Sequence, residues 1–410
     1  MERKRVVITG IGVIAPNAIG KDNFWEALRN GRSGIKPITV FDTSLFKTHL
    51  AGECTDFKPE ELLGETKLRN LDRATKMVLS AAKLCIDDAC FKIDEENTDK
   101  TGVVTATTLS VIFNISEFTK EAQEAGPQLV NPAMFPSTTI NAPSSQISIK
   151  YKIKGFNTTV STGFSAGLDA LKYASDMLIL NRAEAVLVCA VEALFFQSYV
   201  GFYKLEFLAG IKGEELSCPF DKRRNGIILG EAAAAILLET EGHAIKRKAR
   251  IYGELKSVET FFDPFRSGRY GPQAEGLKRC IISALKNAHL KPDQIDYVDA
   301  SANSVIIQDL LESKIIKEIF SETAQSLPVS SIKSMVGETV SASGVLQVAA
   351  SLGCLNENFV YPTINYQVPD PECDLDYVTG QARSKGIRNI LINCFGPGGN
   401  NASCIVGMYV

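Results

Sequence analysis

The sequence predicts an α/β protein in which helices cover both faces of a sheet and the chain divides into two related halves. Three observations carry this expectation. Short β-branched runs recur along the whole length, stretches of helical period separate several of them, and a polar interval at Glu239–Arg250 splits the pattern into two similar parts. With 410 residues, 45% of them apolar and 22% charged, the chain has ample material for such a core.

In the first part the strands read as Val6–Ile8, Val103–Thr108, Thr158–Ser161, Ala185–Val191 and Ala234–Leu238. The second part opens with Ile251–Leu255 and continues through Ile295–Val298, Asn389–Asn393 and Ser403–Val406. These short β-branched runs read as strands buried on both faces. Leu171, Ala174 and Leu178 form an apolar stripe on a helix after Gly167, and Leu277, Ile281, Ala284 and Leu285 form another after Pro272. Strands alternating with helices imply a largely parallel sheet. The halves are taken as 1–250 and 251–410. An insertion over about 109–145, rich in proline (Pro127, Pro132, Pro136, Pro143), interrupts the first half and reads as a lid or a partner contact.

Composition narrows the function classes. The formal charge of −3 gives no general attraction to nucleic acid or to an anionic membrane. Histidine is scarce: His49, His243 and His289 are the whole supply, so histidine chemistry must use those positions. The ten cysteines are scattered without a C-x-x-C pair, and no metal site is expected. The chain passes from Met1-Glu2-Arg3-Lys4-Arg5 straight into a strand, with no leader and no apolar run near the ~20 residues of a membrane span, so a cytoplasmic protein with reduced thiols is expected.

Four phrases belong together. They are Val6-Val7-Ile8-Thr9-Gly10-Ile11-Gly12-Val13-Ile14-Ala15-Pro16-Asn17, followed by Phe24-Trp25 and Ser33-Gly34-Ile35; Pro219-Phe220-Asp221 with Arg224, Gly226 and Gly230-Glu231; Lys333-Ser334-Met335-Val336-Gly337; and Phe395-Gly396-Pro397-Gly398-Gly399-Asn400-Asn401-Ala402. In order and spacing they resemble the β-ketoacyl synthases over practically the whole chain. The resemblance implies a thiolase-like five-layered αβαβα fold built from two similar halves.

That family condenses an acyl thioester with malonyl carrier protein through a cysteine nucleophile and two histidines. Here Phe164 stands in the cysteine's place within Ser161-Thr162-Gly163-Phe164-Ser165-Ala166-Gly167. Ser301 replaces the first histidine in Asp299-Ala300-Ser301-Ala302-Asn303, and Glu338 the second, after the retained Lys333. Pro397 interrupts the last glycine-rich turn where the family carries its gating phenylalanine. A phenyl ring cannot attack a thioester, Ser301 cannot carry a positive charge, and Glu338 would repel a developing enolate.

Within the family such losses are similar to those of the chain-length factors, the ketosynthase β subunits of type II polyketide synthases. Ala15-Pro16-Asn17, Gln146-Ile147-Ser148-Ile149 and Gly167-Leu168-Asp169-Ala170-Leu171 carry the same resemblance. It implies a subunit without independent catalysis that pairs with an active ketosynthase α and an acyl carrier protein. No cofactor is bound by the chain itself, and the phosphopantetheine arm belongs to the carrier. Val111, Ile112, Phe113 and Ser116 then fall where the subgroup sets its tunnel length, although an apolar dimer contact explains them nearly as well. Lys67, Arg69, Arg73 and Lys76, or Lys222, Arg223 and Arg224, could receive an acidic carrier protein or simply face solvent. Phe164 either plugs the tunnel or fills the vacated pocket, and Glu338 either pairs with Lys333 or is solvated.

Two other readings stay open. Gly163-Phe164-Ser165-Ala166-Gly167 satisfies G-x-S-x-G, which would make Ser165 a hydrolase nucleophile with His243 or His289 as its base. Alternatively, the chain is a thiolase-fold scaffold that binds acyl groups or carrier protein.

Overall fold

The structure, a computed structural model, describes residues 4–65, 68, 71–265 and 270–410. The first half contributes β1 (Val6–Ala15), α1 (Lys21–Arg29), α2 (Arg73–Asp88), β2 (Thr101–Ala106), α3 (Ile112–Ala125), α4 (Ala142–Tyr151), β3 (Asn157–Val160), α5 (Ala166–Ile179), β4 (Ala185–Glu192), α6 (Phe196–Lys204), β5 (Ala232–Thr240) and α7 (Glu241–Lys246). The second contributes β6 (Gly253–Phe262), α8 (Glu275–Asn287), β7 (Tyr297–Asp299), α9 (Ile306–Phe320), β8 (Pro328–Ser330), α10 (Ser343–Glu357), β9 (Asp376–Tyr377), β10 (Asn389–Phe395) and β11 (Asn400–Gly407). The insertion is not irregular: it folds into α3, a 3₁₀ segment at Pro132–Thr138 and the start of α4.

The strands lie in the order β9, β8, β7, β10, β11, β6, β1, β5, β4, β2, β3. Reading outward from the middle, β1, β5, β4, β2, β3 repeats as β6, β11, β10, β7, β8, and β9 extends the second set. The halves meet where β1 pairs with β6, and only Val7↔Glu254 and Ile8↔Gly253 are in register there.

Here the sheet departs from the expected largely parallel one. It is parallel on its two flanks, but the ladders from β10 across to β4 are antiparallel. Strand–helix alternation implies a parallel pair only where a helix crosses over between consecutive strands. The short Gly396–Gly399 turn joins β10 to β11 instead, which forces the antiparallel pairing of Asn389–Phe395 with Asn401–Gly407.

Five layers follow from which side chains are apolar on each face. Val103, Leu187, Cys189, Ala233, Ala235 and Leu237 of the first half pack outward on α2. Val298, Val329, Leu391 and Ile405 of the second pack outward on α8 and α9. The opposite faces enclose α5 and α10, and α10 is buried continuously from Ser343 to Leu355, as a helix between two sheets must be. The fold is the thiolase-like one, with two similar halves. Among the described residues no helix is long and apolar enough to cross a membrane.

Glycine sets the layer spacing. A Cβ on Gly12 of β1 would lie 2.0 Å from the Ala81 carbonyl oxygen of α2. Between the sheets, a Cβ on Gly167 would lie 2.9 Å from Val345 N, and one on Gly344 2.8 Å from Leu168 N. Gly12→Ala is therefore expected to lower the unfolding free energy by about 3 kcal/mol in chemical denaturation. An unchanged midpoint would show that α2 moves off the strand freely.

Candidate functional site

The carboxyl ends of the parallel strands carry the residues of interest. Phe164 sits in a 3₁₀ turn, Gly163–Ser165, between β3 and α5, and Gly163 enters that turn with φ of 72°, in the left-handed region. The half-buried Phe164 ring lies over the last glycine-rich turn: a Cβ on Gly396 would come 2.5 Å from its Cγ. It meets Phe202 edge-on with centroids 6.4 Å apart, and it lines a cavity of about 360 Å³ with Ser161, Thr162, Pro397 and Asn400.

Ser301, just beyond β7, is wholly buried. Its backbone N donates to Glu312 Oε1 (2.9 Å), and its carbonyl accepts from Lys333 Nζ and Gln308 Nε2 (both 2.9 Å). Its hydroxyl accepts from Phe395 N (3.1 Å) and Gln308 Nε2 (3.1 Å) and donates to the Phe395 carbonyl (3.3 Å). The hydroxyl is consumed by structure.

Glu338 is paired, not solvated. Its Oε2 accepts from Lys333 Nζ (2.8 Å) and Asn303 Nδ2 (2.8 Å), and its Oε1 from Val340 N (2.9 Å) and Ser343 Oγ (2.8 Å). Burial alone would depress the Lys333 ammonium, but the adjacent Glu338 carboxylate raises it above the ordinary lysine value. The cation persists, held by one carboxylate and one carbonyl.

Around this pair stand carboxyl groups of another kind. Burial pushes Asp299 up to about 7, Glu312 to about 7, and Asp309 to about 6 against the opposing pull of Arg224. Glu312 Oε2 has no hydrogen-bond partner. Glu192, at the end of β4, is also raised to about 7 by burial, despite accepting from Leu109 N (3.1 Å) and Thr108 N. Thr108 Oγ1 in turn meets Ser341 Oγ at 2.6 Å and accepts from Gly163 N (3.2 Å), tying the start of the insertion to the Phe164 turn.

Thiol chemistry has no foothold in this cluster. Burial holds the Cys394 thiol well above the ordinary cysteine range although Lys333 pulls it down, and the thiol donates to Gln347 Oε1 at 3.0 Å. No group of His, Cys, Asp and Glu among the described residues could hold a metal ion.

The structure corrects the elbow reading of Ser165. Its buried hydroxyl donates to Asp169 Oδ2 (2.8 Å), while His243 Nδ1 is spent on Glu239 (2.6 Å). His289 lies beyond the end of α8. The small residue is explained by strand–helix packing.

The other sequence-picked residues scatter. Val111 is buried at the head of α3, Ile112 packs on the outer core of the first half, Phe113 is 40% exposed and stacks on Phe195 (5.3 Å), and Ser116 Oγ donates to the Ile112 carbonyl (2.8 Å). Lys67 and Arg69 lie outside the described residues. Arg73 is engaged inward, its Nε donating to the buried Glu231 at 2.8 Å. Arg223 holds Asp221 (2.9 Å), and Arg224 is buried on Asp370 (2.6 Å), so neither is a free surface cation.

Sequence reasoning missed Tyr270, Asn303, Gln308 and Glu312. Tyr270 hydroxyl donates to Gln308 Oε1, and Gln308 reaches Ser301, so one relay runs from a second cavity to the Lys333 cluster. That cavity, about 480 Å³, is lined mainly by Leu205, Phe207, Val305, Ile306 and Ile307 with Tyr270. A signal was present: Gln308 and Glu312 are four residues apart on one helix, which places them on the same face.

The geometry can now be set beside known proteins. The family description "Beta-ketoacyl synthase, N-terminal domain" matches residues 3–244, and "Beta-ketoacyl synthase, C-terminal domain" matches 252–367. The chain is 34% identical over 409 residues to 3-oxoacyl-[acyl-carrier-protein] synthase 2 of Coxiella burnetii, covering 99% of both chains. The protein of that name from Synechocystis sp. is 34% identical, with 100% of this chain and 99% of the relative covered, and one from Staphylococcus aureus is 33% identical, with 98% and 97% covered. Among solved structures, the ishigamide ketosynthase/chain length factor superposes with a TM-score of 0.93 at 29% identity, covering both chains fully. A type II PKS acyl-carrier protein in complex with its ketosynthase bound to the hexaketide, AntDE:AntF, gives 0.91 at 29%, again over the whole of both chains.

The curated relatives overturn the expected function. Proteins 33–34% identical over the full length are named as synthases, so a catalytically inactive chain-length factor is not the reading that kinship supports. Three replaced side chains are a local signal and do not by themselves select a subgroup.

Two outcomes are expected from the buried charges. Glu338→Ala strands the Lys333 ammonium and should cost about 3–5 kcal/mol in denaturant unfolding, whereas Lys333→Met with Glu338→Leu should cost less than that single change. Equal costs would mean water reaches the lysine. For Glu312, the folded carboxyl near 7 lies above its ordinary 4.5, so its contribution is full below about pH 4.5 and is lost as pH rises through about 7. Relative to the parent, Glu312→Gln should gain about 3 kcal/mol across that window, and a constant difference between the two stability curves would refute the assignment.

Proposed function

Because the chain belongs to the β-ketoacyl synthase family, we propose that it works on acyl groups carried as thioesters by an acyl carrier protein, in the extension that gives a 3-oxoacyl thioester. The observation that carries this reading is the full-length kinship to 3-oxoacyl-[acyl-carrier-protein] synthase 2 from several bacteria. Support for the carrier as partner comes from a solved relative of the same fold bound to its acyl-carrier protein. The cleft walled by Leu205, Phe207, Ile306 and Ile307 is apolar enough for the non-polar parts of such a substrate, and its Tyr270 leads to the Lys333–Glu338 cluster. Ten free cysteines suit a reducing cytoplasm.

The site sets a condition on how this chain takes part. Transfer of the acyl group to the protein needs a lone pair at position 164, and Phe164 has none. The acyl carbon therefore stays on the carrier thiol while this chain holds it. Lys333 supplies fixed positive charge, but both of its close acceptors, Glu338 and the Ser301 carbonyl, belong to the protein. Its part is to position the turn that carries Glu338 and Val340.

Native and denaturing mass spectrometry of the full chain mixed with acyl-loaded carrier protein tests this. The expected result is a complex that leaves no acyl adduct on the denatured chain and weakens about tenfold or more in Ile306→Asp. A covalent acyl adduct would overturn the non-covalent part. Failure to bind any loaded carrier would overturn the substrate class.

A further inference from the structure

At the opposite end of the parallel strands from this site lies a cleft that the proposed function does not use. It sits at the amino-terminal ends of β2 and β4, where four separate segments converge: the chain ahead of β1, the turn before β2, the loop after α5, and α7. Its volume is about 370 Å³, the space of roughly a dozen waters at ~30 Å³ each. β4, with 8 residues, puts about 23 Å between it and the Glu192 end of the strand.

The cleft's charge is opposite to that of the molecule. The chain as a whole carries −3. Lys4, Lys100, Arg182 and Lys246 line the cleft against one carboxylate, Glu184, with His243 beside them. Part of this charge is already matched: Lys100 Nζ meets Glu184 Oε1 at 3.0 Å, and Lys4 is held by Asn181. His243 Nδ1 faces Glu239 at 2.6 Å and its Nε2 lies 4.0 Å from Glu184. Arg182 and Lys246 have no carboxylate partner among the described residues, and both are exposed into the same space.

Four cations around one cleft repel one another unless an anion joins them, and a concave wall strengthens the field inside it. A guanidinium with two or more ammonium groups is matched best by an anion that offers several oxygens and more than one negative charge. A single carboxylate would leave the cleft positive. We propose that this cleft binds a small molecule through a pyrophosphate group, with Arg182 gripping one phosphate in a bidentate fashion and Lys246 and Lys4 the other. Glu184 keeps Lys100 and His243 at the rim, and by offsetting one positive charge it caps how much negative charge the site accepts.

Isothermal titration of the full chain with sodium pyrophosphate, at low and at physiological ionic strength, tests the site. The expected result is saturable one-to-one binding that weakens with salt and falls about tenfold or more in Arg182→Ala/Lys246→Ala. Lys36→Ala, an exposed lysine that does not line the cleft, should bind as the parent does, and Glu184→Gln should bind more tightly. Circular dichroism of each variant separates loss of binding from loss of fold. Absence of saturation at millimolar pyrophosphate, or equal affinity in the double variant, would overturn the proposal. None of these outcomes bears on acyl-carrier binding, which is read at the other end of the strands.

Discussion

The close approach of α5 and α10 is the constraint on which the rest depends. Gly167 and Gly344 let the two buried helices touch backbone to backbone, and nothing larger fits at either position. Because each helix begins at the carboxyl end of its own half's strands, this one contact brings two turns together. Gly163–Ser165 opens α5 and Val340–Ala342 opens α10, and Ser341 Oγ donates to the Gly163 carbonyl at 3.4 Å. The site is thus a property of the seam between the halves. Val340 records the tension there: a β-branched, buried residue at φ of 46°, held by the bond from its N to Glu338 Oε1.

The Lys333–Glu338 pair is best understood from the same seam. Two buried charges gain little net stability over apolar side chains of similar size, because desolvation offsets most of their attraction. What they provide is direction. Glu338 takes four donors from Lys333, Asn303, Val340 and Ser343, and so fixes the turn after Gly337 against β7. Burial holds the neighbouring carboxyls Asp299 and Glu312 well above the ordinary carboxylate range, against the opposing pull of Lys333.

Much of the fold was legible because burial writes itself in composition. The strands at Ala185–Glu192 and Ala232–Thr240 are apolar throughout, and the glycine phrases mark where layers touch. The short strands Pro328–Ser330 and Asp376–Tyr377 were not, since two or three residues carry no period. Strand direction was misread at the centre because the turn Gly396–Gly399, not a helix, decides it. In the site, positions 164, 301 and 338 could be found from flanking motifs. Tyr270 could not, because its role depends on a bond to Gln308, 38 residues along the chain.

Kinship and the altered site are compatible once each is assigned its own physical basis. The chain is 33–34% identical to these relatives over its full length, and its own layers depend on glycines at close approaches, small residues in α10 and apolar strands. These are constrained by packing whatever chemistry the site performs. Phe164, Ser301 and Glu338 are each built into their surroundings: Phe164 over Gly396, Ser301 with every hydrogen-bonding group used, Glu338 with four donors. The polar groups at positions 301 and 338 are satisfied by the protein itself, and position 164 holds a ring packed over Gly396.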